Sequence, residues 1–122
     1  MKALLIVAHG SRRASSNDEV RALTAVVAQR AGDRFDKVDC AFLELADPLI
    51  YEGLEALARA GANDITLVPY FLSAGRHVVE DIPAEVAKAD IPAGIRVRVS
   101  PYVGQAAAAM ADLLLAQGQD KA

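Results

Sequence analysis

The 122-residue sequence has no tryptophan, a single cysteine and only two histidines. Its aromatic side chains are three Phe and three Tyr, too few to build the stacking platforms on which single-stranded nucleic acids bind. Basic charge is not in excess: 13 Lys and Arg face 16 Asp and Glu, for a net charge of −3. That balance argues against a general binder of nucleic-acid phosphates. Cys40 alone allows neither an internal disulfide nor a zinc ribbon. Long apolar runs are missing too. The stretch Ala3-Leu4-Leu5-Ile6-Val7-Ala8 stops at His9 after six residues, short of a signal-peptide core and far short of the roughly 20 residues of a membrane helix. These absences lead us to expect a cytoplasmic protein with neither a nucleic-acid nor a membrane partner. Any histidine chemistry must use His9, His77 or both.

What is present describes a folded chain. Apolar residues make up 53%, and discounting the 25 alanines leaves roughly 40 larger side chains, enough for one core. A charged fraction of 24% is too low for a disordered chain. The length fits a single domain over residues 1–122.

Four short β-branched runs alternate with four helical patterns. Lys2–Ala8 is continuously apolar after its first residue, as in a strand covered on both faces. Ser16-Asn17-Asp18-Glu19 reads as a capping box, followed by Val20, Leu23, Val27 and Ala31 at helical spacing and by Gly32 as the stop. A second strand is expected over Lys37–Leu43. Asp47-Pro48 reads as an N-cap with proline at the first helical position, with Ile50, Leu54, Leu57 and Ala58 lining one helical face. Ile65–Val68 is the third strand, ended by Pro69. A loop over Tyr70–Arg76 leads to a helix through Val78–Ala89, with Pro83 at its first turn or a kink. Ile95–Val99 is the fourth strand. A last helix spans about Gln105–Gln117, with Met110, Leu113 and Leu114 expected to face inward. This alternation predicts an α/β fold: a single three-layer domain with a four-stranded, mostly parallel sheet in the flavodoxin-like order 2-1-3-4 and helices on both faces.

In such sheets ligands bind beyond the carboxyl ends of the strands. Strand 1 delivers His9, Gly10, Ser11, Arg12 and Arg13 there, strand 2 delivers Glu44, and strand 3 delivers Tyr70 through His77. Both histidines therefore reach one edge, although 68 positions separate them. An imidazole at His9 can ligate a borderline metal, accept a proton near neutral pH or carry a phosphoryl group; the alternative is a half-buried histidine bonded to a backbone carbonyl at the strand end. His77 read alone is an exposed residue at a helix start. Arg12, Arg13 and Arg76 suit carboxylates or phosphates, or are solvated surface side chains. Glu44 can pair with an arginine, ligate metal or take up protons. Glu80 and Asp81 read as helix-start residues favourable to the macrodipole, and Cys40 as a small buried hydrophobe. Nucleotide loops, a nucleophile elbow and an HExxH zinc site are all missing.

The motifs His9-Gly10-Ser11-Arg12, Phe42-Leu43-Glu44 with Asp47-Pro48, and Pro69-Tyr70-Phe71-Leu72-Ser73-Ala74-Gly75-Arg76-His77-Val78-Val79-Glu80-Asp81-Ile82-Pro83 resemble those of the small CbiX/SirB-type sirohydrochlorin chelatases, which insert a divalent metal into a tetrapyrrole. The resemblance runs from residue 2 to about residue 104. It implies that His9 and His77 are metal ligands; because metal insertion also needs a base for the pyrrole N–H protons, we expect one of them to relay protons as well and Glu44 to be a weaker catalytic proton acceptor. It places Ser11, Arg12, Arg13, Tyr70, Ser73, Gly75 and Arg76 against a carboxylate-rich substrate, sirohydrochlorin. Co²⁺, Fe²⁺ or Ni²⁺ enters as a substrate, with no organic cofactor, and a homodimer is implied. The segment Pro101-Tyr102-Val103-Gly104-Gln105 departs from the family pattern, with Gln105 where a histidine often stands. A phosphohistidine carrier resembling mannose-type phosphotransferase A domains is the alternative, and it leaves His77 without a task. A non-catalytic metal or tetrapyrrole carrier using the same site is a third reading.

Overall fold

The computed structural model describes residues 1–119. Its elements are β1 (Lys2–Ala8), α1 (Ala14–Ala31), β2 (Lys37–Phe42), α2 (Ile50–Arg59), β3 (Asp64–Pro69), α3 (Ile82–Lys88), β4 (Arg96–Val99) and α4 (Ala107–Gly118). The strands form one parallel sheet in the order β2-β1-β3-β4, the order expected from the alternation of apolar runs and helical patterns.

Strand alternation divides the core. Ala3, Leu5 and Val7 of β1, Ala41 of β2, and Ile65 and Leu67 of β3 face Ile50, Leu54 and Leu57 of α2 and Ile82 of α3. On the opposite face Ile6 and Val38 lie under Ala31 and Val27 of α1. With a helix on each side, β1 has no face free for polar residues, which explains its continuous apolar sequence. Ile82 is completely buried; such burial contributes about 1.5–3 kcal/mol and seats α3 on the sheet. No helix among the described residues is long and apolar enough to cross a membrane.

Three local expectations are corrected. Ser16 does not cap α1, which starts two residues earlier at Ala14 with Arg13 at its N-cap and no side-chain cap. The Ser11 hydroxyl accepts from the Arg13 N–H at 3.0 Å, and this turn starts the helix ahead of Ser16. Asp47 does not cap α2: Leu49 stands at the N-cap, and its N–H donates to Glu52 Oε1 at 2.8 Å. The Pro48 carbonyl accepts from Phe42 N at 2.9 Å, which ties the proline to the end of β2 rather than to the first helical turn.

The third correction concerns α4. Met110 is half-buried, but Leu113, Leu114 and Leu115 are 52%, 66% and 65% exposed, and α4 packs broadly on no other described element. Three consecutive leucines point around a helix rather than along one stripe. The preceding turn, Val103–Gln105, is held to the β3 loop by Gly104 N donating to the Phe71 carbonyl at 2.9 Å, and from there the helix runs clear of the sheet.

Candidate metal centre

β1 ends at Ala8, and Gly10 then turns with φ +91°. A Cβ at this position would lie 1.7 Å from the Glu44 carbonyl oxygen. Glycine is thus required twice, for the left-handed conformation and for the approach of the chain leaving β2. Glu44 N donates to the His9 carbonyl at 3.1 Å, continuing the ladder past both strands. This pairing sets Glu44 Oε1 at 3.7 Å from His9 Nε2.

The His9 loop is pinned from the other side by Asn17, a buried residue of α1. Its Oδ1 accepts from Ser11 N at 3.0 Å and its Nδ2 donates to the Ser11 carbonyl at 2.8 Å. This clamp was hidden in the sequence, where Asn17 fell inside the apparent capping box. The cue was the seven-residue spacing of Asn17, Thr24 and Ala31, which puts Asn17 on the buried face of α1.

After β3 the chain passes through Tyr70–Arg76 into a π-helical turn, His77–Asp81, which runs directly into α3. The turn delivers His77 to His9: the ring centroids are 4.5 Å apart and the planes meet at 73°. Phe71 stacks loosely behind His77, centroid to centroid 6.4 Å. The two rings, with Leu43, Glu44, Asp81, Ala84, Glu85 and Lys88, line an open cleft of about 270 Å³. A concavity of about 350 Å³ between Glu55, Ala58, Arg59, Asp90 and Pro92 offers no histidine or cysteine.

Each ring nitrogen in the cleft has a defined part. His9 Nδ1 lies 2.9 Å from the Gly10 carbonyl, and His77 Nδ1 lies 2.8 Å from Asp81 Oδ2. A carbonyl and a carboxylate only accept, so each neutral ring carries its proton on Nδ1 and its lone pair on Nε2. Two Nε2 donors from neighbouring rings suit Co²⁺, Fe²⁺ or Ni²⁺. No group of three or more His, Cys, Asp and Glu converges as a metal cage among the described residues. The pair would therefore hold an ion while leaving most of its coordination positions open. At the rim Lys88 donates to the Glu85 carboxylate; this hydrogen bond and the charge of Glu85 hold the lysine above its ordinary value and keep it cationic.

Of the residues expected to serve the site, His9, His77 and Glu44 come together in the cleft. The others lie outside its lining. Ser11 spends its hydroxyl on Arg13 N, and Arg12 and Arg13 are exposed where α1 begins. Tyr70, Ser73, Gly75 and Arg76 form an exposed loop on the same sheet edge, with Arg76 Nε 3.9 Å from Glu80 Oε2. Asp81 and Lys88 were not expected there. The four-residue spacing of His77 and Asp81, which puts both on one helical face, was the available signal.

The CbiX family model matches residues 3–120. The chain belongs to the CbiX family. The sirohydrochlorin cobaltochelatase of Methanopyrus kandleri is 37% identical over 83 residues, covering 68% of this CbiX-family chain and 57% of that protein. The sirohydrochlorin ferrochelatase of Priestia megaterium is 38% identical over 88 residues, covering 72% and 32%. The sirohydrochlorin chelatase SirB of Bacillus subtilis subspecies spizizenii, solved in complex with cobalt, superposes with a TM-score of 0.74 at 33% identity, over 83% of this chain and 43% of SirB. The chain thus spans 57%, 32% and 43% of these three relatives.

Proposed function

We propose that this CbiX-family chain is a metal chelatase that inserts a divalent ion, cobalt, iron or nickel, into sirohydrochlorin. The observation that carries the reading is the His9–His77 pair, two imidazoles 68 positions apart in the sequence whose ring centroids lie 4.5 Å apart, with both Nδ1 atoms already engaged. The relatives named as sirohydrochlorin cobaltochelatase and ferrochelatase support it. A phosphocarrier has no use for the second ring.

The chemistry follows from the donors. Neutral imidazoles hold the ion and displace part of its water shell, and the open positions admit pyrrole nitrogens. As two pyrrole N–H groups become metal ligands, two protons must leave. A histidine released by the departing metal accepts one, and the Glu44 carboxylate, 3.7 Å from His9 Nε2, accepts or passes on the other. Lys88 at the rim, with Arg12, Arg13 and Arg76 further along the edge, offers cations to the substrate's peripheral carboxylates.

The reading includes a homodimer. A 270 Å³ cleft accommodates an ion and one edge of a macrocycle, since even drug-sized ligands occupy about 300–1,000 Å³. The chain spans 43% of SirB, and α4 exposes three leucines. A second copy would cover that face and supply the missing half.

The test is the metal-dependent change in the absorption spectrum of sirohydrochlorin, followed with Co²⁺, Fe²⁺ and Ni²⁺ side by side. The unaltered chain accelerates insertion of at least one ion, and His9→Ala and His77→Ala each return the rate towards that of the free reaction. Undiminished rates in both variants overturn the proposal.

A further inference from the structure

The two candidate ligands are held by chemically different partners. His9 Nδ1 donates to a neutral acceptor, the Gly10 carbonyl, whereas His77 Nδ1 donates to a carboxylate, Asp81 Oδ2 at 2.8 Å. Asp81 occupies the N-cap of α3, where an aspartate usually accepts from the helix's free N–H groups. Its side chain makes no such bond. Its only ion-pair partner among the described residues is His77. The carboxylate is therefore directed to the imidazole and not to the helix end.

The π-helical turn makes this possible. Ile82 N donates to the His77 carbonyl across five residues, and Ile82 is completely buried. The backbone between the two side chains is thereby fixed at both ends, and the ring and the carboxylate face each other across the turn. Without a partner, a neutral histidine ring carries its proton mostly on Nε2, which leaves no lone pair there for a metal.

From this geometry we infer that Asp81 is the positioning residue of the site, holding His77 in the Nδ1–H form with its Nε2 lone pair available, and that the His77–Asp81 pair is the anchoring half of the metal centre. A charged acceptor behind a ligating histidine fixes its tautomer and strengthens it as a donor. His9, backed by a carbonyl dipole, is the weaker ligand and the one released first when the ion moves to the macrocycle. The inference rests on the reading of His9 and His77 as metal ligands, but it concerns binding and tautomer rather than turnover.

The scarcity of histidine makes the test direct. Only two rings contribute to a long-range proton–nitrogen spectrum of histidine-labelled protein, and His9→Ala identifies the remaining one as His77. At a pH where the rings are neutral, the unaltered chain shows His77 as the Nδ1–H tautomer. Asp81→Ala converts it largely to the Nε2–H form and weakens binding of Co²⁺ alone, followed by cobalt absorbance, by about 10–100-fold. Asp81→Asn keeps an oxygen that can accept from Nδ1, so it retains the tautomer while still binding cobalt more weakly than the unaltered chain. The inference is overturned if Asp81→Ala leaves the tautomer unchanged, or if Asp81→Asn binds cobalt as tightly as the unaltered chain. If Asp81→Ala does not fold, the Asp81→Asn measurement decides alone. Cobalt binding and tautomer that respond as described, in a chain without chelatase turnover, would refute the proposed activity and leave this inference standing.

Discussion

Replacing Gly10 by alanine tests how the two strand ends build the site. Two separate costs arise. The first is conformational: at φ +91° a residue with a Cβ loses about 1–2 kcal/mol. The second is steric, because the new Cβ would lie 1.7 Å from the Glu44 carbonyl oxygen, where 3.0 Å is the closest that real Cβ atoms come. The chain after β2 must retreat by more than an ångström, which stretches the 3.1 Å bond from Glu44 N to the His9 carbonyl and adds about 0.5–1.5 kcal/mol. The total is at least about 1.5–3.5 kcal/mol, a large part of the roughly 5–15 kcal/mol that holds a domain together. Gly61→Ala is the control: its φ is +105° but a Cβ there meets nothing within 4 Å, so it carries only the conformational cost. Urea unfolding followed by circular dichroism measures both variants, and a cobalt titration measures the site. Gly10→Ala should lose more stability than Gly61→Ala and should also weaken cobalt binding, which Gly61→Ala leaves intact. Equal losses in the two variants, with cobalt binding retained in both, would refute the close-approach argument.

Asn17→Ala removes both bonds to the Ser11 backbone and leaves a buried N–H and carbonyl unpaired; we expect a loss of about 1–3 kcal/mol in urea unfolding, with His9 less well held and cobalt binding weaker. Asn17→Asp keeps the acceptor for Ser11 N but not the donor to the Ser11 carbonyl, and should fall between the two. Ile82→Ala empties a fully buried position beneath α3 and should cost about 2–5 kcal/mol, measured by the same unfolding curve. Leu114→Glu places a charge on the exposed face of α4; in sedimentation velocity it should shift the protein from about twice its 12.9 kDa chain mass to the chain mass, without lowering the unfolding midpoint of the monomer.

The sheet was legible because its strands advertise themselves. A parallel strand buried on both faces has no polar phase, so the run Ala3–Ala8 stands out. The third strand was marked instead by the short β-branched run Ile65–Val68 ended by Pro69, and the carboxyl-end rule then brought His9, Glu44 and His77 to one edge from sequence alone. What the sequence hid were contacts between residues with two credible local uses. Asn17 sat inside a plausible Ser16–Glu19 capping box, yet its amide holds Ser11. Asp81 sat at a helix start, where an acid needs no other explanation, yet its carboxylate meets His77. Asp47-Pro48 had the chemistry of a helix start, and the bond from Phe42 to the Pro48 carbonyl took precedence. The leucines of α4 looked like core because leucine usually is; a helix that packs broadly on no other element among the described residues has the composition of one that is covered.

The central claim is that one ion is shared by two imidazoles through their Nε2 atoms. A crystal structure of the chain soaked with Co²⁺, with the ion located by its anomalous scattering, tests it most directly. The account predicts a single cobalt in the cleft at about 2.0–2.2 Å, ordinary metal–imidazole distances, from Nε2 of both His9 and His77, with Asp81 still bonded to His77 Nδ1 and the other positions held by water. A cobalt bound through Nδ1, or by one imidazole alone, or at a place away from both rings, would contradict it.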